Sequence, residues 1–211
     1  MVGKVITVAQ QKGGSGKTTL AANLAVALSK RGKSVAVLDT DPQGSLGRWF
    51  MNRHAETDGE TGLAFSTASA WGVSYECEKL IKAHDFVVID TPPKIDADLR
   101  PALRASDLVI VPVAASHLDL WATESVLELA GREGRAVLLV LNRASSRARL
   151  TAKILSELDA LDAPRAETTI GNRVAFAEGL GSGFSASEGP KSRASEEIGA
   201  LTDEVSRLVG V

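Results

Sequence analysis

Residues 11–19 read QKGGSGKTT, a short segment that combines the residue types that bind phosphate groups. Its glycines let the backbone turn N–H groups towards an anion, and the helix predicted to follow adds positive potential at its N-terminus. Lys17 is placed to bridge the β- and γ-phosphates of a nucleotide, and the Thr18 hydroxyl to bind Mg²⁺. The side chain of Thr19 can donate to an α-phosphate oxygen. We therefore expect ATP and Mg²⁺ to bind at this phosphate loop, through Gly13, Gly14, Ser15, Gly16, Lys17, Thr18 and Thr19.

The phosphate loop departs from the ordinary pattern at its first position. That pattern requires a glycine four residues before Gly16, where this chain has Gln11. A second lysine, Lys12, stands directly after it. The segment follows an apolar strand and opens a helix, and this context favours a phosphate site over a glycine-rich turn without a ligand.

Carboxylates follow two further apolar runs. Asp39 and Asp41 stand in the segment DTDPQ, and Asp90 stands in DTPP. The C-terminal ends of parallel strands meet at one edge of a sheet, where open α/β proteins bind ligands. We expect Asp90 and Thr18 in the Mg²⁺ shell, with Asp39 as an outer partner near the metal or Thr18. Helix capping is the alternative role for Asp39 and Asp41.

Continuous apolar runs alternate with helical patterns along the chain, which predicts a doubly wound, mainly parallel sheet with helices on both faces. The predicted strands are Lys4–Gln10, Ser34–Asp39, Phe86–Asp90, Leu108–Val113 and Ala136–Asn142. The predicted helices are Gly16–Arg31, Ala97–Ala105, Asp119–Gly131, Arg147–Leu161 and Arg193–Val209. The polar stretch Asn52–Thr61 and the Gly- and Ser-rich stretch Gly179–Lys191 are predicted loops. No repeat or linker divides the sequence, so we expect residues 1–211 to form a single domain.

Composition narrows the class of protein. Hydrophobic residues make up 44% of the 211, enough for a sizeable core, and the formal net charge is only −2. Any nucleic-acid surface must therefore be a local patch. The single cysteine, Cys77, excludes an intramolecular disulfide and argues against an iron–sulfur cluster. No signal peptide or long apolar run is present, so a cytoplasmic location without membrane insertion is expected.

The phosphate loop with its extra lysine and the two aspartate segments resemble the ParA/MinD family of deviant Walker ATPases. The resemblance implies an ATP-sandwich homodimer in which Lys12 reaches the nucleotide of the partner subunit. It assigns catalytic roles to Lys12, Lys17 and Asp41, with Asp41 orienting the attacking water. It also implies that Asn142, at the end of a strand, pairs with adenine, for which an amide carries both a donor and an acceptor.

Three functions remain open within that resemblance. A ParA-type ATPase would bind DNA without sequence preference, become nucleoid-associated with ATP, and segregate a plasmid, a chromosome or a protein cluster. A ParB-like or cargo-adaptor protein would stimulate its hydrolysis. The candidate DNA contacts are Arg147, Arg149, Lys191 and Arg193, although a solvated face is the alternative. A MinD-like membrane cycle is disfavoured by the acidic, non-aromatic C-terminal helix, and an ATP-dependent synthetase-like activity is the third candidate.

Overall fold

Six short strands form one sheet in which every neighbouring pair is parallel, in the order β3-β2-β4-β1-β5-β6. The computed structural model describes residues 3–93, 99–114, 116–144 and 148–211. Most strand positions are buried on both faces, because helices cover the sheet from both sides. The strands are β1 Lys4–Val8, β2 Val35–Asp39, β3 Ala64–Thr67, β4 Phe86–Asp90, β5 Leu108–Ala114 and β6 Ala136–Asn142.

Eight helices in the described part of the chain form two layers. Helices α1, α2, α7 and α8 pack on one face, around Leu24, Trp49 and Ile198, and α3 to α6 pack on the other. None of the helices in these ranges is both long and apolar enough to cross a membrane. The bounds are α1 Lys17–Ser29, α2 Ser45–Glu56, α3 Gly72–Leu80, α4 Leu99–Ala105, α5 His117–Arg132, α6 Ala148–Asp159, α7 Val174–Ser182 and α8 Arg193–Leu208.

The predicted doubly wound parallel sheet is confirmed, and all five predicted strands exist. The prediction missed β3, a four-residue edge strand without an apolar run. The loop prediction for Asn52–Thr61 was wrong in its first half, because α2 continues to Glu56. Likewise, α7 covers the start of Gly179–Lys191 as far as Ser182.

A buried ion pair explains why the polar sequence at the end of α2 predicts a loop. Arg53, only 6% exposed, donates to both carboxylate oxygens of Glu188, at 2.9 and 2.7 Å, and to the carbonyls of Thr61 and Gly183. Arg53 is charged, yet its side chain faces the core of the protein. Its polarity alone predicts a solvent-exposed position. The same contacts tie α2 to the segment that follows α7.

Candidate nucleotide-binding site

The strand order brings the phosphate loop and the predicted carboxylates to one edge of the sheet. Strand β4 lies between β1 and β2, and its last residue, Asp90, is in register with Val8 on one side and Asp39 on the other. The phosphate loop leaves the end of β1 and returns to begin α1 at Lys17. Loop and carboxylates thus converge as predicted for the C-terminal edge of a parallel sheet.

Two glycines give the phosphate loop its shape. Gly14 and Gly16 have φ angles of 77° and 93°, values that residues with a side chain rarely adopt. A β-carbon on Gly16 would also lie 2.4 Å from Nδ2 of Asn142. The Asn142 amide itself donates to the Ser15 carbonyl at 2.8 Å, so the end of β6 holds the loop in place.

The base of the loop is joined to β4 by a buried hydrogen bond. The Thr18 hydroxyl donates to Oδ2 of Asp90 at 2.6 Å, and Asp90 is fully buried. Burial raises the pKa of Asp90 to about 7, and burial also lowers the pKa of Lys17. Oδ1 of Asp90 and the hydroxyl of Ser15 are buried without a hydrogen-bond partner among the described residues. The site therefore holds charged and polar groups that the protein itself leaves incompletely paired.

The oxygen atoms of Thr18 and Asp90 are suitable ligands for Mg²⁺. The Thr18 hydroxyl and the unpaired Asp90 oxygen are hard oxygen groups, which this ion prefers. No group of three His, Cys, Asp or Glu side chains that could hold a metal ion occurs within residues 3–93, 99–114, 116–144 and 148–211. In nucleotide sites, phosphate oxygens and water complete the shell of Mg²⁺ beside one or two protein groups.

Asp39 orders the segment that carries Asp41. Its two oxygens accept from the backbone N–H groups of Asp41, at 3.0 Å, and of Gly47 in the first turn of α2, at 2.8 Å. Burial raises the pKa of Asp39 despite these bonds. These bonds give Asp39 a positioning role, although the N-cap residue of α2 is Gly44. Its predicted place near the metal stays a prediction.

The carboxylate of Asp41 lies at the phosphate loop. One of its oxygens accepts from the backbone N–H of Gln43 at 2.9 Å. The residue lines a cavity of about 200 Å³ together with Gly13, Lys17 and Thr18. We call this cavity the phosphate pocket. Its position suits the water-orienting role predicted for Asp41, which stays a prediction.

Lys12 is paired within its own chain. Its ammonium group lies 2.5 Å from Oδ2 of Asp119 and donates to the Ser116 hydroxyl at 3.3 Å. Asp119 is 1% exposed and stands in the first turn of α5, which Ser116 caps by accepting from the Asp119 backbone N–H. Sequence reasoning missed Asp119, although the Ser-x-x-Asp spacing before an apolar helix is a recognisable start signal.

A second cavity of about 200 Å³, the base pocket, adjoins the phosphate loop. Asn142 lines it, with one amide N–H held by Ser15 and the amide oxygen accepting from the backbone N–H of Arg143 at 2.9 Å. Adenine pairing by Asn142 stays a prediction. The apolar wall, which sequence reasoning did not identify as such, comes from Leu20, Ile170, Phe176, Ala177, Leu180 and Ile198.

Of the four candidate DNA contacts, Lys191 and Arg193 have described side chains, and neither lines the phosphate pocket or the second cavity at the loop. Arg147 belongs to the undescribed residues, and Arg149 is placed only by the backbone of α6. Lys191 and Arg193 are exposed at the start of α8, and the ammonium of Lys191 lies 3.6 Å from Glu196. The structure thus brings two of the four together, on one helix end.

A parallel sheet with a glycine loop between β1 and α1, and carboxylates ending β2 and β4, defines a P-loop nucleotide-binding protein. More specifically, the chain belongs to the CobQ/CobB/MinD/ParA nucleotide-binding domain family, whose model matches residues 6–183. The resemblance drawn from the loop and the aspartates is thereby confirmed.

Relatives of known name cover almost the whole chain. The chain is 32% identical over 209 residues to maintenance of carboxysome distribution protein A from Halothiobacillus neapolitanus, with 95% of each chain covered. The septum site-determining protein MinD from Pyrococcus horikoshii, solved with Mg-ADP, matches at a TM-score of 0.81 and 22% identity, covering 98% of this chain and 97% of that one. A putative plasmid partition protein from Borrelia burgdorferi, bound to AMPPNP, matches at 0.78 and 20%, covering 97% and 99%. The two solved structures establish the fold.

Asp90→Asn is expected to stabilise the free protein at high pH. Because the pKa of Asp90 is about 7 rather than 3.8, its ionisation costs folding free energy, and stability is lost as the pH rises through that interval. The variant should be more stable than wild type by roughly 1–3 kcal/mol at pH 8, and about equally stable near pH 4. Urea unfolding at both pH values, without nucleotide and Mg²⁺, measures this. A variant that is destabilised equally at both would contradict the assigned pKa.

Proposed function

We propose that this protein is a ParA-type ATPase that binds ATP with Mg²⁺, forms a homodimer with ATP, and positions a cargo on DNA. The observation that carries the proposal is the pair of lysines in one phosphate loop beside the buried, incompletely paired carboxylate of Asp90. A lone phosphate loop would indicate nucleotide binding only. The second lysine and the placement of Asp41 support a dimeric hydrolase.

The phosphate loop and Asp90 have separate chemical tasks in this proposal. Lys17 and the backbone N–H groups of the loop bind the phosphates, and Thr18 and Asp90 hold Mg²⁺. The metal, when bound, neutralises charge on the phosphate oxygens. The burial of Lys17 and Asp90 supports this assignment, because it removes water from both charged groups. A phosphate would stabilise the charged form of Lys17, and a cation would stabilise the charged form of Asp90.

Lys12 is the residue that makes the dimer necessary. In the single chain its ammonium is engaged by Asp119, and its side chain is 38% exposed. To reach the nucleotide of a partner subunit it must exchange this ion pair for phosphate oxygens. Phosphate carries more negative charge than one carboxylate, so the exchange is favourable only when a nucleotide is presented at the interface.

Asp41→Ala tests the hydrolytic part of the proposal. The variant should bind ATP like wild type but hydrolyse it at least ~100-fold more slowly, because no carboxylate then orients the attacking water. Phosphate release under saturating ATP, with nucleotide affinity measured separately, gives both quantities. Asp162→Ala, which removes an exposed carboxylate far along the chain, is the matched control. Normal turnover by Asp41→Ala would refute the role of Asp41.

Cargo positioning is supported by the kinship with maintenance of carboxysome distribution protein A, which covers nearly all of both chains. We infer a large protein assembly or a DNA molecule as cargo, and an adaptor protein that stimulates hydrolysis. The protein would act in the cytoplasm and associate with the nucleoid when ATP is bound.

The C-terminal helix does not favour a membrane cycle of the MinD type. Helix α8 buries Ala194, Ile198, Leu201 and Val205 in the core cluster that includes α1. Its apolar face is therefore occupied within the fold. A surface-binding amphipathic helix needs that face free and a basic polar face beside it.

DNA binding is expected to depend on ATP and on the start of α8. A double variant, Lys191→Ala with Arg193→Ala, should bind a random duplex about tenfold more weakly at low salt, with a smaller dependence on salt concentration. Fluorescence anisotropy across a salt series, with ATP or ADP, measures both. The matched control removes Lys33 and Arg207, two basic residues beside a different groove. Absence of ATP-dependent binding by wild type would overturn this part of the proposal.

A further inference from the structure

The chain makes an unusual turn directly after Asn142. Arg143 has a φ of 53°, in the left-handed region that favours glycine, and it is one of three non-glycine residues with positive φ in the described part of the chain. Glycine or asparagine would adopt this backbone conformation at a lower cost in conformational energy than arginine does. Residues in sparsely populated backbone conformations cluster at active sites and ligand clamps, so the side chain of Arg143 is a candidate ligand-binding group.

The turn brings the Arg143 side chain to the phosphate loop. Its Nε lies 3.8 Å from the point where a β-carbon on Gly16 would stand. Arg143 lines both the base pocket and the phosphate pocket. Only four described residues line both cavities, and they therefore mark the junction between them: Gly16, Thr19, Arg143 and Leu180.

The Arg143 guanidinium forms no ion pair or hydrogen bond with the residues that the structure describes. A second arginine of the base pocket, Arg173, differs in this respect. Its guanidinium is engaged by the carboxylate of Glu197, which also accepts from the Gly171 backbone N–H at 3.1 Å. Arg173 thus fastens a wall of the pocket to α8, whereas the donors of Arg143 are available to a ligand.

We propose that Arg143 binds the α-phosphate of the nucleotide. This inference rests on the proposed function, and it adds a residue that neither the phosphate-loop pattern nor the aspartate segments identify. In any nucleoside di- or triphosphate, the sugar and the α-phosphate connect the base to the β-phosphate, so they occupy the junction of the two pockets. A guanidinium carries five N–H donors and a permanent charge, and it selects the anionic phosphate over a sugar hydroxyl.

This position separates Arg143 from the groups that distinguish ATP from ADP. Lys17 and Asp41 line only the phosphate pocket. The α-phosphate is common to both nucleotides and unchanged by hydrolysis. Arg143 is therefore an anchor that holds the nucleotide equally before and after the reaction.

The test compares nucleotide affinities of Arg143→Gly with those of wild type. Glycine adopts a positive φ without strain, so this variant removes the side chain and keeps the turn. Calorimetric titration with ADP and with AMPPNP, both with Mg²⁺, should give losses of about 10- to 100-fold that are equal for the two ligands. Arg143→Lys should recover part of the affinity. Arg207→Ala, which removes an exposed arginine from the last turn of α8, should bind like wild type.

Adenosine separates phosphate recognition from a structural role. It carries no phosphate, so wild type and Arg143→Gly should bind it alike in an NMR titration. Unchanged ADP affinity in Arg143→Gly, a loss confined to AMPPNP, or an equal loss for adenosine would each overturn the assignment of Arg143 alone. Failure of wild type to bind either nucleotide would overturn the proposed function, and this assignment with it.

Discussion

A buried carboxylate with an unpaired oxygen dominates the chemistry of this molecule. Asp90 ends β4, between β1 and β2 at the C-terminal edge of the sheet. It is fully shielded from water, and one hydroxyl donates to it. Ionising such a group is costly, which is why its pKa is raised to about 7. Fold and function meet here, because the parallel sheet that forces Asp90 inside also places it beside the phosphate loop. On the proposed function, a bound cation would supply the partner that Oδ1 of Asp90 lacks among the described residues.

The residues around Asp90 act mainly by holding others in place. Asp39 fixes the backbone of Asp41, and Asn142 fixes the carbonyl of Ser15. The contacts of Arg53 fasten α2 to the segment after α7. These contacts come from elements distant in sequence, so the loop geometry depends on the whole sheet. This arrangement is what preorganised phosphate binding requires.

The positions of the phosphate loop and of Asp90 could be predicted from the sequence because the signals for them are local. Glycine spacing fixes the phosphate loop, and strand-end position identifies Asp90 without any tertiary information. The contacts that hold the surrounding side chains are not local. Lys12 and Asp119 are 107 residues apart, and Arg53 and Glu188 are 135 apart. Side-chain polarity alone predicts solvent exposure for such residues. For this reason the sequence reveals neither the last turns of α2 nor Asp119 as the partner of Lys12.

The proposed function depends most on a dimer joined by Lys12 across the nucleotide. Sedimentation equilibrium of the Asp41→Ala variant, in which ATP should persist, tests it directly. With ATP and Mg²⁺ the mass should rise from 22.1 kDa to twice that value, and with ADP it should not. Adding Lys12→Ala to the same chain should abolish the rise. A mass that stays monomeric with ATP, or a dimer that forms without regard to nucleotide or Lys12, would contradict the claim.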